Sequence, residues 1–146
     1  MSTDPYARKL IKHDFFHAKR PVAGTVVVVL DGYLDNRSLS LIPPISRAYP
    51  EHAIVELIAT DEAAVAPGGS VQAIAYLGFV ELLTSGVIVV GDEVVVGGQV
   101  VGTIAGYDDT HMPNHQNVVV SVAKRVSGKD LGWVVGERVE IGTSRT

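Results

Sequence analysis

Short runs of β-branched residues, separated by glycine and small polar residues, dominate this chain. Val26-Val-Val-Val-Leu30, Val87-Ile-Val-Val90 and Glu93-Val-Val-Val96 are all strand-sized. The branched Cβ of valine packs well on a pleated surface, so these runs predict strands. Val22 to Leu34 reads as the first, with Asp35-Asn-Arg-Ser as a turn after it. Leu39 and Leu41 predict a short edge strand, broken by Pro43-Pro44. Ile45 to Tyr49 reads as a helical turn stopped by Pro50, and Ala53 to Ala59 as a strand. Thr60 to Ser70 is a loop. Val71 to Leu83 fits a strand with a bulge at Gly78 or a helix interrupted there. Tyr76, Phe79 and the β-rich surroundings favour the strand.

Gly97-Gly98 between two valine runs predicts a tight hairpin, because both turn positions need positive φ. Gln99 to Ile104 and Val118 to Ala123 follow as strands, Ser127-Gly-Lys-Asp130 as a turn, and Trp133 to Ile141 as the closing strand. Val89-Val-Gly-Asp-Glu-Val-Val-Val-Gly97 is echoed by Val134-Val-Gly-Glu-Arg-Val-Glu-Ile-Gly142, a corner that small barrels reuse. At the N-terminus, Asp4-Pro5 is a capping acid followed by proline, which predicts a short helix from Pro5 towards Phe16, ended by Pro21. The expected fold is mainly β: a small closed or partly open β-barrel with a short N-terminal helix. Closure would also protect the valine-rich edges. The expected organisation is a helical segment at 1–21, the barrel at 22–142 and a tail at 143–146.

Composition narrows the functional classes. The chain has 146 residues, enough for one domain with its own core. It has no cysteine, which excludes disulfides, thiolate metal sites and a cysteine nucleophile. This is compatible with a cytoplasmic location, and no signal peptide is visible after Met1. No apolar run reaches the length of a membrane helix. Net charge is −4, and the only basic cluster, Arg8 to Arg20, is interrupted by aromatics and histidines. That argues against a nucleic-acid partner. A small-molecule ligand is the expected partner, and valine-rich edges make a homodimer plausible.

Chemistry concentrates in Tyr107-Asp-Asp-Thr-His-Met-Pro-Asn-His-Gln-Asn117, a polar stretch between two apolar strands. Histidine has an ordinary pKa near neutrality, so His111 and His115 are candidate catalytic acids or bases at the barrel mouth. Asp108 is a candidate partner that orients an imidazole. Tyr107, Asp109, Thr110, Asn114, Gln116, Asn117 and Tyr76 are candidate ligand-binding residues. Glu81 lies in an apolar stretch. Pointing inward it would be desolvated and suited to proton exchange; pointing outward it would be ordinary.

No cofactor motif is visible: there is no dinucleotide fingerprint, phosphate loop or nucleophile elbow. The expectation is therefore a cofactor-independent lyase or isomerase. A weaker alternative is a divalent-metal site made by His111, His115 and one of Asp108, Asp109 or Glu81. His13 and His17, one helical turn apart, read as part of a solvated basic face.

Val90-Gly-Asp-Glu-Val-Val-Val-Gly-Gly-Gln-Val-Val-Gly-Thr-Ile-Ala-Gly106, with His115 before a valine strand, resembles the barrel of the glucitol/sorbitol-specific sugar phosphotransferase IIA component. The resemblance implies a phosphohistidine carrier on a small β-barrel, with His115 at a histidine position of that family. Ala75-Tyr-Leu-Gly-Phe79 together with Thr110-His-Met-Pro-Asn-His115 is similar to a family of small uncharacterised bacterial proteins, which implies no activity. A non-catalytic module binding a metabolite or a metal is the remaining reading.

Overall fold

The computed structural model describes residues 18–143. Seven of its strands close on themselves: β1 (Val22–Val29), β5 (Ile54–Thr60), β7 (Ile74–Leu82), β9 (Glu93–Val96), β10 (Gln99–Asp108), β11 (Gln116–Ser121) and β12 (Arg138–Gly142). Around the barrel the order is β1-β12-β9-β10-β11-β5-β7, and β7 pairs back onto β1. Neighbours are antiparallel except β11 and β5, which run parallel. Short outer strands complete the fold: β2 (Tyr33–Leu34) on β7, β3 (Leu39–Ser40) with β6 (Ser70–Val71), and β4 (Ser46–Tyr49) with β8 (Gly86–Val89).

Alternation explains the closure. Every second residue of β1, from Val22 to Val26, is buried. Val26, Leu57, Val80, Val94, Val118 and Val139 meet in an interior cluster that fills the barrel. A second apolar cluster of Leu39, Leu41, Ile58, Val71, Ile74, Ala105 and Val119 lies outside the wall, beneath the β3–β6 pair. Both faces of β5 and β11 are therefore largely buried.

Residues 74–82 are a strand, as the aromatics indicated. The register against β5 passes from Leu57↔Gly78 to Ile58↔Tyr76, so Leu77 is the extra residue of a bulge beside Gly78. A Cβ at Gly78 would stand 2.3 Å from the Val28 carbonyl oxygen. The Gly97-Gly98 hairpin has φ of 57° and 82°, as the turn type requires.

Three expectations are corrected. Ile45 to Tyr49 is not a helical turn: Ser46–Tyr49 is β4, because its backbone pairs with β8. Ser127 to Asp130 is more than a turn. The Ser127 side chain accepts from the Asp130 amide and caps the short helix α1 (Gly128–Leu131). The last strand begins at Arg138 rather than Trp133, because Gly136, at φ 98°, turns the chain first. The N-terminal helix expected from Pro5 lies outside the described residues. Among the described residues α1 is the only helix, and none is long and apolar enough to cross a membrane.

Candidate functional site

Strand β10 runs through Tyr107 and Asp108, and β11 starts at Gln116, so the polar loop shrinks to Asp109–His115. Tyr107 points into the filled interior. Its hydroxyl donates to the Ile88 carbonyl at 2.9 Å, and burial pushes the phenol above its ordinary range. Gln116 is also internal: its side chain accepts from the Tyr49 hydroxyl and donates to Asp109 Oδ1 at 2.7 Å.

Asp108 organises the loop. Its carboxylate accepts from the Ser40 amide at 3.0 Å, the Thr110 amide at 2.9 Å and Asn117 Nδ2 at 3.0 Å. Burial raises its pKa, but the hydrogen bonds from Thr110, Ser40 and Asn117 outweigh that and hold it below the ordinary range. Asp108 is thus a fixed anion, with both oxygens already engaged.

The histidines converge on the outer wall. The Asn114 amide donates to the His111 carbonyl at 2.9 Å, a tight turn that brings the two rings to a centroid separation of 5.0 Å. His115 Nε2 lies 2.9 Å from Glu56 Oε1, and its Nδ1 lies 2.7 Å from Asn114 Oδ1. Phe79 packs against the same ring in a T-shaped contact, with centroids 4.9 Å apart. Val55 and Leu57 belong to the interior cluster, so Glu56 between them faces outward. It is nevertheless only 6% exposed. Glu56, His111 and His115 each offer a ligand atom, and these atoms all lie within 4.8 Å of one another.

The two ring nitrogens of His115 take their donor and acceptor roles from its tautomer. With the hydrogen on Nδ1, donated to Asn114 Oδ1, Nε2 is left to a cation shared with Glu56; with it on Nε2, the ring donates to Glu56 directly. Beside Glu56 in register, Asn117 is fully buried, and its Oδ1 has no partner among the described residues.

Other candidates stand apart from this cluster. Glu81 is on the outer face but pairs with Nδ1 of exposed His52 at 2.9 Å. Tyr76 packs against the outer apolar cluster. Thr110 and Asp109 serve the loop and the Gln116 contact. Glu56, Phe79 and Arg37 were not among the candidates that the sequence offered. The Arg37 guanidinium lies 3.4 Å from His111 Nε2. A glutamate at the centre of the apolar strand Ala53 to Ala59 was the available signal. At the other end of the β10–β11 hairpin, a cavity of about 510 Å³ is lined by Leu77, Val96, Val122, Leu131 and Trp133, among others. It holds none of the histidines.

A filled, closed seven-stranded β-barrel with a histidine–carboxylate cluster on its outer wall is the class that fold and site define. The chain belongs to the family of unknown function DUF6917, whose model matches residues 16–142. No curated protein and no solved structure matches it.

Proposed function

We propose that the protein binds one divalent metal ion through Glu56, His111 and His115 and uses it to hold and polarise a small polar molecule. The observation that carries this reading is the His115–Glu56 contact. Asn114 Oδ1, 2.7 Å from His115 Nδ1, stands where an outer-shell partner of a metal-bound histidine stands, and the tautomer it would hold leaves Nε2 for the metal beside the buried Glu56. Metal–ligand bonds of about 2.0–2.2 Å bridge donors up to about 4 Å apart, so a small rotation of the exposed His111 ring completes the set. Two imidazoles and a carboxylate suit zinc and non-haem iron(II) alike and leave coordination positions open. A ligand in those positions would be activated for proton transfer, which fits lyase or isomerase chemistry.

Elemental analysis of the protein purified without chelator or polyhistidine tag, followed by calorimetric titration with Zn²⁺, tests the reading. About one metal per chain is expected. Glu56→Gln should weaken binding by at least about tenfold, as lost ligands and their supports do. A wild-type protein that neither carries metal nor takes up Zn²⁺ would sink the proposal.

One observation favours a metal-free alternative. A doubly protonated His115 would satisfy both Glu56 and Asn114 and serve as a general acid. The same titration separates the two readings. A phosphohistidine carrier finds less support, because a phosphoryl group approaching His115 Nε2 would meet the Glu56 carboxylate.

A further inference from the structure

We infer that the ligand held beside the metal is a small oxyanion, a carboxylate or a phosphate, and that Arg37 selects it. The inference rests on the metal reading above and names its substrate class.

The first argument is charge. Among the described residues the cluster contributes one carboxylate, Glu56, and two imidazoles, which coordinate as neutral rings. Arg37 stands beside them as a permanent cation, 3.4 Å from His111. A dication with one carboxylate and one guanidinium leaves a net charge of about +2 against a largely buried wall. The loop's own acids are turned to other partners, Asp108 to Ser40, Thr110 and Asn117 and Asp109 to Gln116, so neither is placed as a ligand of the cation. An anion supplied from solution is the group that balances the site.

The second argument is the state of Arg37 itself. Its backbone is anchored: the amide donates to the Gln72 carbonyl at 2.9 Å, and Gln72 Oε1 accepts from both the amide and the hydroxyl of Ser38. Its guanidinium, by contrast, has no carboxylate partner among the described residues. Arg125 shows the difference, since it is tied to Asp35, Asp61 and two backbone carbonyls. Among the described residues the Arg37 side chain donates only to an imidazole nitrogen, and its further N–H groups have no partner there. The planar fork of arginine matches two oxygens of a carboxylate or phosphate. One oxyanion can then bridge the metal and Arg37, with Phe79 and the β5–β7 wall bounding one side.

The test uses the full-length protein loaded with Co²⁺, whose visible bands report changes at the metal. Oxalate and inorganic phosphate are titrated separately, with perchlorate as the control. The wild-type bands should shift with oxalate, phosphate or both, and the responding anion identifies the source. Arg37→Gln should bind Co²⁺ within about threefold of wild type yet need at least about tenfold more anion, the loss of one bidentate contact. Arg37→Lys, which keeps the charge but not the fork, should fall between. Co²⁺ uptake with no response to either anion, or an Arg37→Gln protein that titrates like wild type, overturns the inference and leaves the metal site standing. Failure of Co²⁺ to bind at all overturns both.

Discussion

At the scale of single residues, two acids, one beside the loop and one on β5, divide the work between shape and chemistry. Asp108 holds Ser40, Thr110 and Asn117; Glu56 reaches His115. Asp108→Asn puts an amide donor where the Ser40 or Thr110 N–H needs an acceptor. It should cost about 1.5–3 kcal/mol at neutral pH, the range for hydrogen bonds to a charged group. The carboxyl of Asp108 lies below its unfolded value in the folded protein. Its contribution is therefore complete above about pH 4 and is lost as pH falls through the lower folded value. Urea unfolding of both proteins should show a gap at pH 7 that narrows towards pH 2.5, and a gap independent of pH would contradict the assignment. The histidine pair and Asn114 were legible in the sequence, because they belong to one short polar segment. Glu56 was not. It and Glu81 both sit in apolar strands, two positions apart in register, since Glu56 faces Phe79 and Ile54 faces Glu81. Only the landing point of a loop more than fifty residues away decides which one meets a histidine.

At the scale of elements, the internal echo proves to be one turn used twice. Gly91 and Gly136 have φ of 96° and 98°, and each is followed by an acid whose side chain accepts from the amide three residues back. Asp92 takes the Val89 amide at 2.9 Å, and Glu137 the Val134 amide at 2.7 Å. The turns deliver β9 and β12, which then pair with each other. Their surroundings differ. Asp92 is buried and also holds Lys19 at 2.6 Å, whereas the Val134 turn is exposed. Asp92→Ala strands a largely buried ammonium and should cost about 3 kcal/mol. Glu137→Ala should cost less than about 1 kcal/mol, the worth of a solvated hydrogen bond. Denaturant midpoints with unchanged slopes would check this ordering, and equal losses would show that burial is not what separates the two turns. Strand positions were readable wherever valine alternated with polar residues. Those that escaped, such as Ser46–Tyr49, are defined by a partner strand rather than by their own pattern.

At the scale of the whole molecule, the site binds together segments that are distant in sequence. Glu56 comes from β5, His111 and His115 from the β10–β11 loop, and Arg37 from the stretch before β3. None of these is assembled until the barrel closes, so metal binding should draw on the stability of the entire fold. Linkage at about 100 times Kd adds about 2.7 kcal/mol. For a chain of this size that corresponds to a rise in Tm of about 5–10 °C. Trp133 is the only tryptophan, is 9% exposed, and lines the cavity at the opposite end of the β10–β11 hairpin. Its fluorescence therefore reports loss of the barrel rather than changes at the metal. The expected result is a Zn²⁺-dependent rise in the Trp133 transition that Glu56→Gln cuts by about half or more at the same Zn²⁺ concentration. The rise should also shrink on acidification, because protons compete with the metal for the imidazole ligands. Zn²⁺ binding by calorimetry with an unmoved Trp133 transition would mean that the loop folds and unfolds apart from the barrel. The register of β5 against β11 would then not be what builds the site.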